Sequence, residues 1–314
     1  MTAPSYAILF PGQGSQAVGM LGAHDAPVVA RTFAEAGAAL GWDLAQLVRG
    51  GPEEELNQTA RTQPALLAAG VALWRLWDES GLPRPAALAG HSLGEYTALV
   101  AAGALDFADA LRLVELRGQL MQAAVPAGTG GMAAVIGLDD AKVADLCKAY
   151  PGSEVLEPVN YNAPGQVVVA GQAAALDWLA ANGKAHGARM VMRLPVSVPS
   201  HCSLMRDAAQ KLADKLAATS IHAPAIPVYH NLDAAPHSEP ASIRRALTEQ
   251  LYRPVLWTST IQKLVASGIG TFVECGPGKV LTGLTKRIAD KSARYVSLED
   301  PAGLQQALAW LKTA

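Results

Sequence analysis

The pentapeptide Gly90-His91-Ser92-Leu93-Gly94 constrains this chain more than any other segment. Before it stands the apolar run Ala86-Ala87-Leu88-Ala89, which reads as a short buried strand. After it, Glu95-Tyr96-Thr97-Ala98-Leu99-Val100-Ala101-Ala102 can run as a helix up to Gly103. Strand, G-x-S-x-G and helix in that order form the context of a nucleophile elbow, a sharp turn that lifts a serine hydroxyl above the carboxyl end of a sheet. The two glycines let the backbone turn without a Cβ clash. An ordinary strand-to-helix turn can carry the same five letters, so the rest of the chain has to decide.

The pattern around the elbow is α/β. A first strand is expected at 6–10, followed by the glycine-rich Pro11-Gly12-Gln13-Gly14-Ser15-Gln16. Helical periodicity runs through 28–40, 63–79 and 107–123, which together predict a mostly parallel sheet covered by helices. After Pro126-Ala127-Gly128-Thr129-Gly130-Gly131 the texture changes. Strands are expected at 132–136, 154–160, 166–170 and 189–194, with helices at 140–150 and 173–185. The order β-α-β-β-α-β is the ferredoxin-like split motif. The expected architecture is a hydrolase-like large subdomain, 1–127 and 200–314, with a ferredoxin-like small subdomain, 128–199, inserted in it. Beyond the insertion come helices at 204–217, 242–250 and 258–267 and strands at 228–230 and 271–275.

Half of the 314 residues are hydrophobic, which supplies a sizeable core, and 25 basic against 27 acidic residues leave the chain nearly neutral. No long Lys/Arg run marks a nucleic-acid partner, and no apolar stretch approaches the roughly 18 residues of a membrane span. Met1-Thr2-Ala3-Pro4-Ser5 lacks the basic and apolar regions of a signal peptide. Cys147, Cys202 and Cys275 are widely spaced and odd in number, which suits free thiols and a cytoplasmic location. No His/Cys/Asp cluster has metal-ligand spacing, so no metal is expected.

Two glycine-rich segments imitate nucleotide loops. Gly12-Gln13-Gly14-Ser15-Gln16-Ala17 matches G-x-G-x-x-A, but no acidic-ended strand follows at the distance a dinucleotide site needs. Gly276-Pro277-Gly278-Lys279-Val280 resembles the end of a P-loop, yet Val273 stands where the first glycine belongs and Val280 replaces Ser/Thr. An activated serine needs a base and oxyanion donors. Among the seven histidines, His24, His186, His222 and His237 read as surface loops, His230 as a turn residue and His91 as packing behind the elbow. His201, in Val196-Ser197-Val198-Pro199-Ser200-His201 between a strand and a helix, is placed to hang over Ser92. No acidic third member stands out between the two, so a backbone carbonyl is the alternative orienting group for the imidazole. Arg117 lies in a largely apolar helix; a semi-buried guanidinium there wants an anionic partner, whereas a surface ion pair is the plainer reading.

Taken in order, Phe10-Pro11-Gly12-Gln13-Gly14-Ser15-Gln16, Gly90-His91-Ser92-Leu93-Gly94-Glu95-Tyr96, Arg117, Val159-Asn160-Tyr161-Asn162-Ala163-Pro164-Gly165-Gln166, Pro199-Ser200-His201 and Gly276-Pro277-Gly278-Lys279-Val280-Leu281 resemble the malonyl-CoA:acyl carrier protein transacylase family, the stand-alone bacterial enzymes of type II fatty acid synthesis. The resemblance runs from about Tyr6 to the last helix and shows no departure at the catalytic positions. It implies Ser92 as nucleophile and His201 as its base, with the backbone N–H groups of Gln13 and Leu93 as the oxyanion hole. It implies that Arg117 clamps the malonyl carboxylate, that Asn160 and Asn162 face the cleft, and that the main-chain carbonyl of Gln250 orients His201. Malonyl-CoA would be the substrate, with coenzyme A released. Acyl carrier protein would be the partner and carry the phosphopantetheine, so that no cofactor is bound permanently, and the enzyme would be a monomer. A serine hydrolase or thioesterase would share Ser92 and His201 but release free acid.

Overall fold

A computed structural model of the chain describes residues 5–126 and 128–312; Met1–Pro4 and Ala127, cited above, lie outside the described residues. The chain runs through β1 (Tyr6–Phe10), α1 (Pro27–Leu40), α2 (Leu44–Gly50), α3 (Glu53–Leu56), α4 (Thr59–Asp78), β2 (Ala87–Gly90), α5 (Gly94–Ala101) and α6 (Phe107–Ala123). Next come β3 (Gly130–Ile136), α7 (Asp140–Lys148), β4 (Leu156–Ala163), β5 (Gln166–Gln172), α8 (Ala173–Asn182) and β6 (Met190–Arg193). The last third holds α9 (Arg206–Ala217), β7 (Val228–Tyr229), α10 (Pro240–Glu249), α11 (Trp257–Ala266), β8 (Thr271–Glu274), α12 (Val280–Ile288), β9 (Arg294–Ser297) and α13 (Pro301–Lys312).

β1 reads YAILF and is buried along its whole length. It sits at the centre of a five-stranded sheet, order β7-β2-β1-β8-β9, in which every pairing is parallel. A parallel strand covered on both faces is apolar throughout rather than alternating. Tyr6, Ile8 and Phe10 face the core built with α1, α4 and α6, while Ala7 and Leu9 face the one built with α11 and α12. Helix ends are tied by side chains: Asp106 accepts from Ala108 N and Asp109 N at the start of α6, and the Glu274 carboxylate accepts from Leu281 N and Thr282 N at the start of α12.

The second sheet, order β4-β5-β3-β6, is antiparallel throughout, with α7 and α8 packed against it around Val135, Val167, Val169 and Leu176. Its chain order and strand order are those of the ferredoxin-like split motif. Pro158 cannot donate to a ladder, and β4 is irregular on either side of Asn160. There the strand leaves its sheet partner in part and bonds the large parallel unit, Val255 N to Val159 O at 2.8 Å and Tyr161 N to Val255 O at 3.0 Å. The expected elements are all present with shifted ends; α4 starts at Thr59, with Pro64 inside it. The short α2, α3 and α12, the edge strand β9, whose Arg294 is exposed, and the half-exposed α13 were not expected from periodicity.

Candidate active site

The elbow is built by close approach. A Cβ on Gly90 would collide with the Gly94 carbonyl, and one on Gly94 with the Phe10 carbonyl, so β2, α5 and β1 meet only because both positions lack one. Neither glycine takes the left-handed conformation. Ser92 itself does, at φ 51°, an uncommon state for a residue with a Cβ that here raises its hydroxyl off the sheet.

Ser92 Oγ donates to His201 Nε2 at 2.8 Å, and His201 Nδ1 donates to the Gln250 carbonyl at 2.6 Å. A carbonyl only accepts, so the proton sits on Nδ1 and leaves Nε2 as the acceptor facing Ser92. Burial is the main cause that pushes the His201 imidazole down, to about 3, and the neighbouring Arg117 charge adds to it. The histidine therefore rests neutral, as a base must. Its turn is pinned from three sides. His201 N donates to Leu251 O at 2.9 Å, while the Glu157 carboxylate on β4 accepts from Ser203 N at 2.9 Å and Ser203 Oγ at 2.6 Å.

Arg117 departs from both readings made of it. It is fully buried rather than half-buried or paired at the surface, and among the described residues no carboxylate bonds it. Its Nη1 donates to Gln63 Oε1 at 2.7 Å, and its Nη2 donates to Gln250 Oε1 at 2.9 Å and Ser92 Oγ at 3.1 Å. The Tyr96 ring lies 5.5 Å away and Nε makes no hydrogen bond. Gly118 lets α6 approach α4 closely, since a Cβ there would strike Ala60 Cα, and this brings Arg117 to Gln63. Burial lowers the guanidinium pKa, the cost of holding a cation with neutral partners.

A cavity of about 120 Å³ opens over Ser92 and His201, lined by Met132, Leu194, Val196 and Val198 on its apolar side and by Gln13 and Asn160 among its polar residues. Asn160 Oδ1 is buried without a hydrogen-bond partner. Asn162 is turned instead to His91, whose Nε2 lies 2.8 Å from Asn162 Oδ1. His91 thus does more than pack: it lines the cavity and leans on Trp257. Ser92 N donates to Asn231 Oδ1 at 2.7 Å, so the backbone N–H of Ser92 is engaged. Leu93 stands at the N-terminal end of α5, where N–H groups have no helical acceptor. The Gly12–Ala17 loop leads into turns and not into a helix, which removes the dinucleotide reading.

Sequence reasoning missed the groups beneath the elbow. Glu95, His230, Asn231 and the Gln250 side chain are all fully buried. His230 does open a turn, its carbonyl accepting from Ala234 N at 3.0 Å, but its ring is buried with Nδ1 2.7 Å from Glu95 Oε1. His24, expected on the surface, is buried with Nε2 3.0 Å from Leu298 O. A signal for Glu95 existed, because a charge in an otherwise apolar helix must find partners. Gln63 gave none, being one amide among many.

Comparison with known proteins gives the family. The family model described as acyl transferase domain matches residues 8–304. The chain is 55% identical over 305 residues to the malonyl CoA-acyl carrier protein transacylase of Salmonella typhimurium, covering 96% of this chain and 98% of that one. The solved malonyl CoA-acyl carrier protein transacylase of Coxiella burnetii superposes with a TM-score of 0.96 at 47% identity, covering 98% of each chain. A malonyl-transacylase solved in complex with a type II PKS acyl-carrier protein gives a TM-score of 0.95 at 51% identity, covering 97% of this chain and 99% of that one. Among the described residues no helix is long and apolar enough to cross a membrane. With matches over nearly its whole length, the chain belongs to the malonyl CoA-acyl carrier protein transacylase family of acyl transferases.

Proposed function

We propose that this protein transfers the malonyl group of malonyl-CoA to the phosphopantetheine thiol of acyl carrier protein, through a malonyl ester on Ser92. His201 Nε2 takes the Ser92 proton as Oγ attacks the thioester carbonyl, and the backbone N–H groups of Leu93 and Gln13 receive the developing oxyanion. The C–S bond then breaks, the proton passes from His201 to the departing sulfur, and coenzyme A leaves. In the second half the carrier's thiol gives its proton to His201 and attacks the ester, restoring Ser92. No permanently held cofactor takes part, and the reaction is placed in the cytoplasm, catalysed by a monomer. Asn160 would line the path of the substrate, while Asn162 would act through His91. The division into 1–127 with 200–314 and an inserted 128–199 is supported by the two separate sheets.

The observation that carries this reading is Arg117, a wholly buried guanidinium whose bonded partners are all neutral, one of them the nucleophile at 3.1 Å. A malonyl carboxylate would supply the missing anion in a bidentate pair, which an acetyl group cannot do. Mass spectrometry after mixing with malonyl-CoA should find a malonyl adduct on Ser92 that holo acyl carrier protein removes. Release of free malonate at the same rate without carrier would favour the hydrolase instead. Arg117→Ala should lower kcat/KM for malonyl-CoA by about 10²-fold or more while keeping activity on uncharged acyl-CoAs. An unchanged malonyl preference in that variant would remove the clamp.

A further inference from the structure

Two opposite charges lie buried beneath the cavity without touching. The Arg117 guanidinium and the Glu95 carboxylate are both fully enclosed, and an ion pair between a fork and a carboxylate is the usual outcome of such proximity. One amide separates them. Gln250 Oε1 accepts from Arg117 Nη2 at 2.9 Å, and Gln250 Nε2 donates to Glu95 Oε2 at 2.9 Å. The amide cannot be turned over, because its nitrogen also faces the Ser92 carbonyl at 3.0 Å and its oxygen faces a donor that accepts nothing. Glu95 is held on its far side by Asn231 N at 2.9 Å and His230 Nδ1 at 2.7 Å. It accepts from three N–H groups, and its charge favours the cationic form of Arg117.

We propose that the Gln250 side chain is a specificity-determining spacer, which holds the Glu95 carboxylate one amide away from Arg117 so that the buried cation is balanced at a distance yet leaves its fork open to the substrate's carboxylate. Direct contact would give Arg117 a permanent internal anion, and the incoming malonyl group would have to displace it. Removal of Glu95 altogether would leave a buried cation with nothing to balance it until substrate arrives. Neutral oxygens on Gln63, Gln250 and Ser92 accept from Nη1 and Nη2 in the meantime, with Nε left without a partner, and are weaker competitors than a carboxylate. The role is separate from that of the Gln250 main-chain carbonyl, which orients His201 and survives any change of side chain. Glu95 is on this view a positioning residue that acts on the substrate only through Arg117. The proposal rests on the reading that Arg117 receives the malonyl carboxylate.

Two substitutions that alter charge with little change of shape test it, with malonyl-CoA and acetyl-CoA compared side by side and melting temperature as the control for folding. Gln250→Glu places a carboxylate oxygen where an amide oxygen meets Arg117, and should raise KM for malonyl-CoA at least about thirtyfold while acetyl-CoA parameters move much less. Glu95→Gln removes the balancing charge and should lower KM for malonyl-CoA about three- to tenfold, with KM for acetyl-CoA unchanged. A purely structural role would shift both substrates together and in one direction. Equal shifts for both acyl groups, or a malonyl KM that rises in Glu95→Gln, would overturn the spacer. If Gln250→Glu does not fold, Glu95→Gln decides alone; failure of Glu95→Gln to fold would assign Glu95 to the fold and also overturn the proposal. A wild-type enzyme that shows no malonyl preference, or one whose preference survives Arg117→Ala, would instead defeat the underlying reading of Arg117.

Discussion

Ser92 and His201 stand on two turns that share a backbone state and differ in what enforces it. Both residues have positive φ, 51° and 64°. The Ser92 turn is bonded by the Asn231 and Gln250 side chains, but it is shaped by backbone packed on backbone, with Gly90 against Gly94 and Gly94 against Phe10, where a methyl group has no room. The His201 turn is held by hydrogen bonds reaching in from other elements, from Leu251 and Gln250 after α10 and from Glu157 on β4. A turn fixed by steric exclusion leaves glycines in the sequence, whereas one fixed by hydrogen bonds leaves only ordinary polar residues. The Ser92 turn is therefore shaped by the packing of the parallel sheet, and the His201 turn depends on how the segment after α10 and β4 are seated.

The contrast can be broken most severely at Gly94. Gly94→Ala drives a Cβ into the Phe10 carbonyl and should cost about 3 kcal/mol or more, seen as a large drop in the denaturant midpoint together with loss of the Ser92 adduct. A variant as stable as the wild type would show that packing does not hold the elbow. At the other turn, Glu157→Ala removes two hydrogen bonds at the edge of the site and should lower kcat about three- to tenfold, with a fall of only a few degrees in melting temperature. A loss of stability as large as that of Gly94→Ala would erase the distinction between the two turns.

The smallest effect is on pH. His201 is lowered to about 3, chiefly by burial and next by Arg117, so acylation by malonyl-CoA should show no acid limb near pH 6.5. The sign for stability follows. Between pH 6.5 and about 3 the unfolded chain binds a proton at this histidine that the folded chain does not, so His201 destabilises the fold progressively as pH falls through that window. Arg117→Ala removes the repelling charge and should move any acid limb of the residual acetyl transfer to higher pH. A wild-type limb near 6.5 in single-turnover acylation would show that the imidazole is far more solvated than its burial implies.

Much of the fold could be read before it was seen, because its signals are periodic or steric. The unbroken apolar run at 6–10, the strand-elbow-helix around Ser92 and the β-α-β-β-α-β order all come through. The elements overlooked, α2, α3, α12, β9 and α13, are short or half-exposed and carry too few apolar positions for a period to emerge. The site divides in the same way. Ser92 and His201 could be picked out by context, and Arg117 by its apolar helix, though its neutral partners were not foreseen.

From residue order alone come the parallel core, the β-α-β-β-α-β unit and the candidate pair Ser92 and His201, since glycine placement and hydrophobic period are local properties. Tertiary structure alone decided that Arg117 is wholly buried between Gln63, Gln250 and Ser92, that Asn162 serves His91 while Asn160 faces the cavity, and that Glu95 lies one amide away from the guanidinium. Those relations join residues as far apart as Ser92 and Gln250, 158 positions along the chain. An amide or a carboxylate carries no mark of its partner in sequence; its meaning is the donor or acceptor that folding brings within 3 Å.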